Sequence, residues 1–259
     1  MTSPESSPAG RMFIPMGGDN SCGKSALARE LSLYFRSPED GHDPIPTYVV
    51  HAGDFFRHMA SIPEGFPLDT PEQIRNSAAI ALEHMQCKVN PETGEMFLSN
   101  GVDLFKQNVA NGHGGSKLGS NPHLAEFVGD VIFGLFEQWL PKNEKGIGLV
   151  EGREDWGIDG LALRINARTG VRREFFRQER EEAVHWSIEK VNETIFARDA
   201  LDAPILAPLK ARETNIVTVT RVDNTEHATR QLARQISGII FDYREGKIPA
   251  NFGVIPISG

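Results

Sequence analysis

Gly18-Asp19-Asn20-Ser21-Cys22-Gly23-Lys24-Ser25 is the stretch on which the reading of this chain turns. Gly18 and Gly23 stand at the two glycine positions of the phosphate-loop pattern, and Lys24 and Ser25 complete it. Small residues let successive backbone N–H groups converge on phosphate oxygens at a helix N-terminus. Lys24 neutralises charge at the β and γ positions, and the Ser25 hydroxyl takes a place on Mg²⁺. All eight residues are therefore candidates for binding ATP, with Ser25 the candidate metal ligand. The alternative is a glycine-rich strand-to-helix turn carrying an exposed lysine. The flanks favour the first reading. Met12-Phe13-Ile14-Pro15-Met16 is an apolar run that stops at Gly17-Gly18, and Leu27, Leu31, Tyr34 and Phe35 recur at helical spacing.

Further along, apolar runs keep alternating with helical patterns. Tyr48-Val49-Val50 ends at His51-Ala52-Gly53-Asp54, and a helix from about Asp54 carries Phe55, Phe56 and Met59. Thr70 caps a helix running to about Cys87. Lys88-Val89 and Met96-Phe97-Leu98 flank the turn signal Asn90-Pro91-Glu92-Thr93-Gly94 as a small hairpin. The glycine-rich tract Asn111 to Gly119 reads as mobile, and a helix follows from Pro122 to Leu140 with Asn121 or Ser120 as its cap. Ile147 to Val150 and Leu161 to Ile165 are strands. Helices run from about Thr169 to Glu182 and from about Val184 to Arg198, Ile216 to Thr220 is the last strand, and the closing helix ends near Phe241.

Alternating strands and helices predict one three-layer α/β domain with a parallel sheet of about five strands, its ligand loops at the strand C-termini. The expected organisation is a disordered leader over 1–10, a P-loop domain over 11–241 with an insertion at about 60–120, and a C-terminal tail over 242–259.

Several charged residues fall at the predicted strand ends. Arg57 lies in the first turn of its helix and reaches a phosphate placed near Gly53, the alternative being an arginine that only faces water. Glu151-Gly152-Arg153-Glu154 stands at the third strand end, and Arg198-Asp199-Ala200-Leu201-Asp202 follows a helix.

Taken together, these segments resemble the cytidylate kinase family, within the group that includes adenylate kinase, from Met12 to about Ile239. Ala197 to Asp202 with Ala207-Pro208-Leu209-Lys210 is similar to the family's segment before its last strand. Glu151-Gly152-Arg153 is similar to its acceptor-site strand end, and Ser116-Lys117-Leu118 with Pro122 to the region before its long helix. His51 to Arg57 is closer to the acceptor-phosphate turn of adenylate kinase and archaeal cytidylate kinase.

The resemblance implies that Arg57, Arg153 and Arg198 hold an acceptor phosphate, that Asp202 accepts from sugar hydroxyls, and that Ser116 and Glu154 lie near the base. Glu154 stands where the family usually has Asp. Ala125 and Ile205 stand where it has arginines, and an apolar side chain does not replace a bidentate guanidinium. The basic segment of Arg168, Arg172, Arg173, Arg177 and Arg180 matches the family's short lid. Arg173 and Arg177, one turn apart, are the lid candidates, the alternative being a solvated face paired with neighbouring glutamates. Lys24, Arg153 and Arg198 complete the catalytic set.

The implied activity is phosphoryl transfer from ATP with Mg²⁺ to a nucleoside monophosphate, CMP or dCMP being the leading acceptor. The alternatives are a P-loop kinase for a modified nucleotide or another small metabolite, and a non-catalytic nucleotide-binding protein.

Composition agrees with a small-molecule substrate. The net charge is −8 and no long basic run is present, which argues against a nucleic-acid partner. No apolar stretch approaches a membrane span, and the only cysteines are Cys22 and Cys87. A cytoplasmic location without disulfides is expected. The histidines show no metal-ligand spacing, and the sequence sets no oligomeric state.

Overall fold

The computed structural model describes residues 10–39, 41–62, 66–67, 70–83, 86–99, 115–140, 144–152, 160–211, 215–249 and 253–259. Strand β1 (Arg11–Gly18) is buried along its whole length and runs into helix α1 (Lys24–Arg36). Its apolar run suits a parallel strand covered on both faces. Met12, Ile14 and Met16 join one core and Phe13 the other, as alternation along a strand requires.

Four further strands set the parallel centre of the sheet: β2 (Thr47–His51), β5 (Gly146–Glu151), β6 (Ala162–Ala167) and β7 (Ile216–Arg221). With β1 they lie in the order β2-β5-β1-β6-β7. Three additional strands widen the sheet beyond the five expected. β3 (Gln86–Val89) and β4 (Glu95–Ser99) form the hairpin read from the sequence, and the Asn90 side chain accepts from the Glu92 and Thr93 amides in its turn. β4 pairs in parallel with β2, so this hairpin extends the main sheet. β8 (Val254–Ser258), within the expected C-terminal tail, pairs in parallel with β7.

Helices cover both faces. α1 and α8 (Glu226–Arg244) contribute Leu27, Leu31, Phe35, Leu232, Ile236 and Ile240 to one core. On the other face lie α2 (Ala52–Ala60), α3 (Pro71–Glu83) and α5 (Pro122–Trp139), with the short helix α4 (115–119) before α5. Pro122 at the first turn and the Asn121 side chain, which accepts from the His123 and Leu124 amides, start α5 as the sequence suggests. Each large side chain buried in these cores is worth about 1.5–3 kcal/mol.

A smaller core of Phe176, Ala183, Val191 and Ile195 joins α6 (Thr169–Gln178), a 3₁₀ turn (Glu181–Ala183) and α7 (Ile188–Ala211). α7 runs well beyond Arg198, through Pro204 and Pro208, although proline removes a helical N–H. Residues 115–119 of the tract expected to be mobile are helical, while 100–114 lie outside the described residues. Most of the expected leader, 1–9, also lies outside them. Among the described residues no helix is long and apolar enough to cross a membrane, and Cys22 and Cys87 are free thiols.

Candidate active site at the strand C-termini

Because the central strands are parallel, β1, β2, β5, β6 and β7 all deliver their last residues to one rim. The loop after β1 lies at this rim. Gly18 has φ 135° and opposes Ile165 of β6, where a Cβ would stand 1.8 Å from the Ile165 carbonyl oxygen. Only glycine accepts both the backbone angle and that approach. Ser21 and Gly23 also have positive φ, and Gly23 is the residue before α1. The Asp19 amide and the Cys22 thiol both donate to the Ile165 carbonyl, at 3.1 and 3.2 Å. Burial pushes the Cys22 thiol pKa up, against the charge of Lys24, so this sulfur stays a neutral thiol.

Lys24 is folded into the loop. Its ammonium donates to the Asp19 carbonyl at 2.6 Å and the Gly18 carbonyl at 3.3 Å. Next to it, Ser25 Oγ donates to Glu151 Oε2 at 3.1 Å.

Glu151 ends β5, and its register partner on β2 is His51. That pairing places His51 Nδ1 2.6 Å from Glu151 Oε2, with Nε2 3.4 Å from Glu95 Oε1 on β4. Burial alone disfavours a charged imidazole, yet the two carboxylates push His51 up to about 10. Burial likewise disfavours the Glu151 carboxylate, but His51, Lys24 and Arg57 hold its pKa down to about 2. Glu95, backed also by Arg29, is held at about 2 despite its burial. The result is an ionised carboxylate fixed beside the Ser25 hydroxyl.

Two hard oxygen donors at this spacing fit Mg²⁺, which takes one or two protein oxygens and completes its shell with phosphates and water. A cluster of three or more protein ligands is not required, and none occurs among the described residues.

Within α2, Arg57 lies over Gly53, where a Cβ would stand 3.0 Å from its Nη1. It pairs with Asp54, and its Nε has no hydrogen-bond partner among the described residues. A Cβ at Gly115 would meet Arg57 Cγ at 3.2 Å, so the helix carrying fully buried Ser116 abuts this arginine. Arg198 and Asp202 are buried one turn apart on α7. Asp202 accepts from the Asn20 side-chain amide, which ties α7 to the loop. Ala125, where the resemblance implied an arginine, is an apolar core residue. Arg153 and Glu154 lie outside the described residues, as does the Ile205 side chain.

The lid candidates separate. Arg177 donates to the Trp186 carbonyl at 2.8 Å, inside the α6–α7 corner. Arg173 is half-buried near Gly170. The arginine of α6 that contacts the loop is Arg172, whose Nε donates to the Asn20 carbonyl at 2.8 Å and whose Nη2 pairs with Asp199.

Arg221 closes the other side. It ends β7 with 1% exposure, donates to the Gly23 carbonyl at 3.1 Å and to Thr229, and stacks 4.7 Å from the Phe175 ring centroid. Of these residues, Glu151, His51 and Asp199 were quoted in the sequence without a role. Strand register and helix phase give them one. Arg221 carried no local signal beyond its place after a strand.

A scan of protein-family models returns no match to the chain, and a search of curated proteins returns none.

Proposed function

We propose that this protein is an ATP- and Mg²⁺-dependent phosphotransferase acting on a nucleoside monophosphate, with CMP or dCMP the leading acceptor. One observation carries the reading: the loop Gly18 to Ser25 leaves the C-terminal end of a central parallel strand with positive φ at Gly18, Ser21 and Gly23, and puts Ser25 Oγ 3.1 Å from an ionised Glu151. Such a loop offers converging amides, an ammonium and a metal-ligating pair to a triphosphate. Phosphoryl transfer asks for positioning and charge neutralisation more than covalent chemistry, which suits a rim carrying Lys24, Arg57, Arg172 and Arg198. Ser25 and Glu151 would hold Mg²⁺, which would supply charge neutralisation at the donor's phosphates. Lys24 would turn from the loop carbonyls to the transferring group, and Arg57 would orient the acceptor's phosphate. Arg153 belongs with Arg57 and Arg198 in this assignment, and Glu154 and Ser116 with the base.

A second reading keeps the ATP half and changes the acceptor to a modified nucleotide or another small metabolite. Asp202 favours it, because a residue expected to accept from a sugar is 1% exposed and engaged with Asn20, and Ala125 brings no base-contacting guanidinium. The test is an assay of ³²P transfer from γ-labelled ATP to a panel of nucleoside and non-nucleoside monophosphates, with Mg²⁺ and with EDTA. Mg²⁺-dependent labelling of CMP or dCMP supports the first reading, and labelling confined to another phosphate supports the second. Nucleotide binding with no labelled product from any acceptor would leave a non-catalytic nucleotide-binding protein.

A further inference from the structure

Asp199 makes contacts that the loop's own folding does not require. The Asn20 backbone N–H belongs to the row of amides between Gly18 and Lys24 that would face a phosphate. It donates to Asp199 Oδ1 at 3.3 Å, and Asn20 Nδ2 donates to the same oxygen at 3.1 Å. From α6, Arg172 Nη2 reaches both Asp199 oxygens at 2.7 Å while its Nε donates to the Asn20 carbonyl at 2.8 Å. A carboxylate thus sits between a loop amide and a guanidinium, the donor set that recognises phosphoryl oxygens.

The surroundings distinguish this contact from an ordinary structural ion pair. Arg172 is 7% exposed at its side chain but Asp199 is 30% exposed, so the acid can return to water while the arginine stays at the loop. Desolvating a released carboxylate would be costly, and this one has a path to solvent. Asp202 also accepts from Asn20 Nδ2, so the Asn20 side chain keeps an anchor if Asp199 leaves. Elsewhere on the lid segment, Arg177 is engaged with the Trp186 carbonyl, and Arg180 with Glu179 and the face of Phe176.

We propose that Asp199 competes with the phosphates of the donor nucleotide for Arg172 and the Asn20 amide, and that Arg172 is the lid residue that takes a phosphoryl oxygen when Asp199 releases it. The inference rests on the phosphotransferase reading and adds to it a binding residue and its intramolecular competitor. A triphosphate wins the exchange because it brings several negative charges to a site where Asp199 brings one.

The test is calorimetric titration of the full chain with AMP-PNP and Mg²⁺. Asp199→Asn keeps the side chain's size and an acceptor for Asn20 but removes the charge that holds Arg172, so AMP-PNP should bind about 5- to 10-fold more tightly. Arg172→Met should bind about 10-fold more weakly, and adding Asp199→Asn to it should bring no gain. A folded Asp199→Asn variant with unchanged or weaker affinity overturns the inference, since Asp199 would then merely brace the loop. Wild-type affinity in Arg172→Met overturns it independently, whether or not the Asp199 variant folds. Absence of binding to the wild type defeats the phosphotransferase reading and this inference with it. Binding to the wild type without the predicted shifts defeats the inference alone.

Discussion

Ser25 and Glu151 lie on different elements, the first turn of α1 and the end of β5, yet Ser25 Oγ donates to Glu151 Oε2 at 3.1 Å. Parallel pairing of β1 with β5 produces this meeting, because it aligns Met16 with Glu151 just before the loop turns into the helix. On the proposed reading Ser25 and Glu151 would be the residues that hold a divalent cation. Glu151→Gln keeps the shape and removes the charge. It should weaken the apparent Mg²⁺ affinity by about 10-fold or more, measured by Mg²⁺ titration of nucleotide binding. An unaltered Mg²⁺ dependence would remove Glu151 from the metal site.

Lys24 is 8% exposed and its ammonium is bonded to two loop carbonyls. Its loss should leave the fold largely intact, because those carbonyls lie on a glycine-rich turn that water reaches once the side chain is gone. Lys24→Ala should lower kcat by about 10²-fold or more, as removal of one transition-state donor does. Circular dichroism with single-turnover transfer checks both halves. Full turnover in the folded variant would move the chemistry elsewhere.

Much of this was legible in the sequence because it was local. A loop pattern, a capped helix at Pro122 and a turn at Asn90 each declare themselves within a few residues. The α/β alternation placed the loop at a strand end. What escaped was long-range. β8 lies near the end of the chain and shows only short alternation, so its pairing with β7 had no neighbouring signal. The His51–Glu151 contact depends on register across two strands, and the Arg172–Asp199 contact on the rotational phase of two helices. The one-turn spacing of Arg173 and Arg177 on α6 does not say which face of that helix meets the loop, and it is Arg172 that does.

The same His51 cluster sets a pH dependence. His51 rises from an ordinary 6.5 to about 10 in the folded chain, so its stabilising contribution is complete below about 6.5 and disappears as pH climbs through 10. Glu95 and Glu151 drop from 4.5 to about 2, so theirs is complete above about 4.5 and disappears as pH falls through 2. The cluster is therefore most stabilising between about pH 4.5 and 6.5. Melting temperatures over pH 4 to 10 should fall on the alkaline side for the wild type and less steeply for His51→Gln. Equal alkaline slopes would show that His51 is not held charged by its two carboxylates.

The last prediction concerns Arg57 and the acceptor. Its guanidinium lies against Gly53, pairs with Asp54 and leaves Nε unpartnered among the described residues. Glu151 and Glu179 both act on its charge, as does Arg180, which brings a second guanidinium from just beyond α6. Like charges drawn together at one rim are relieved when a dianion lies between them. On the proposed reading an acceptor phosphate would supply that dianion, and the fork of Arg57 would match its oxygens in a way that a lysine ammonium does not. Arg57→Lys and Arg57→Ala should both raise KM for the monophosphate while leaving KM for ATP nearly unchanged. Losing charged hydrogen bonds worth about 1.5–3 kcal/mol lowers kcat/KM for the acceptor roughly 10- to 150-fold. Because Asp54 would lose its partner in Arg57→Ala, thermal melting must accompany the kinetics, and Arg57→Lys retains a positive charge near it. If both variants keep the wild-type KM for the acceptor, or if KM for ATP rises instead, Arg57 does not hold the acceptor phosphate and the monophosphate must be bound elsewhere on the rim.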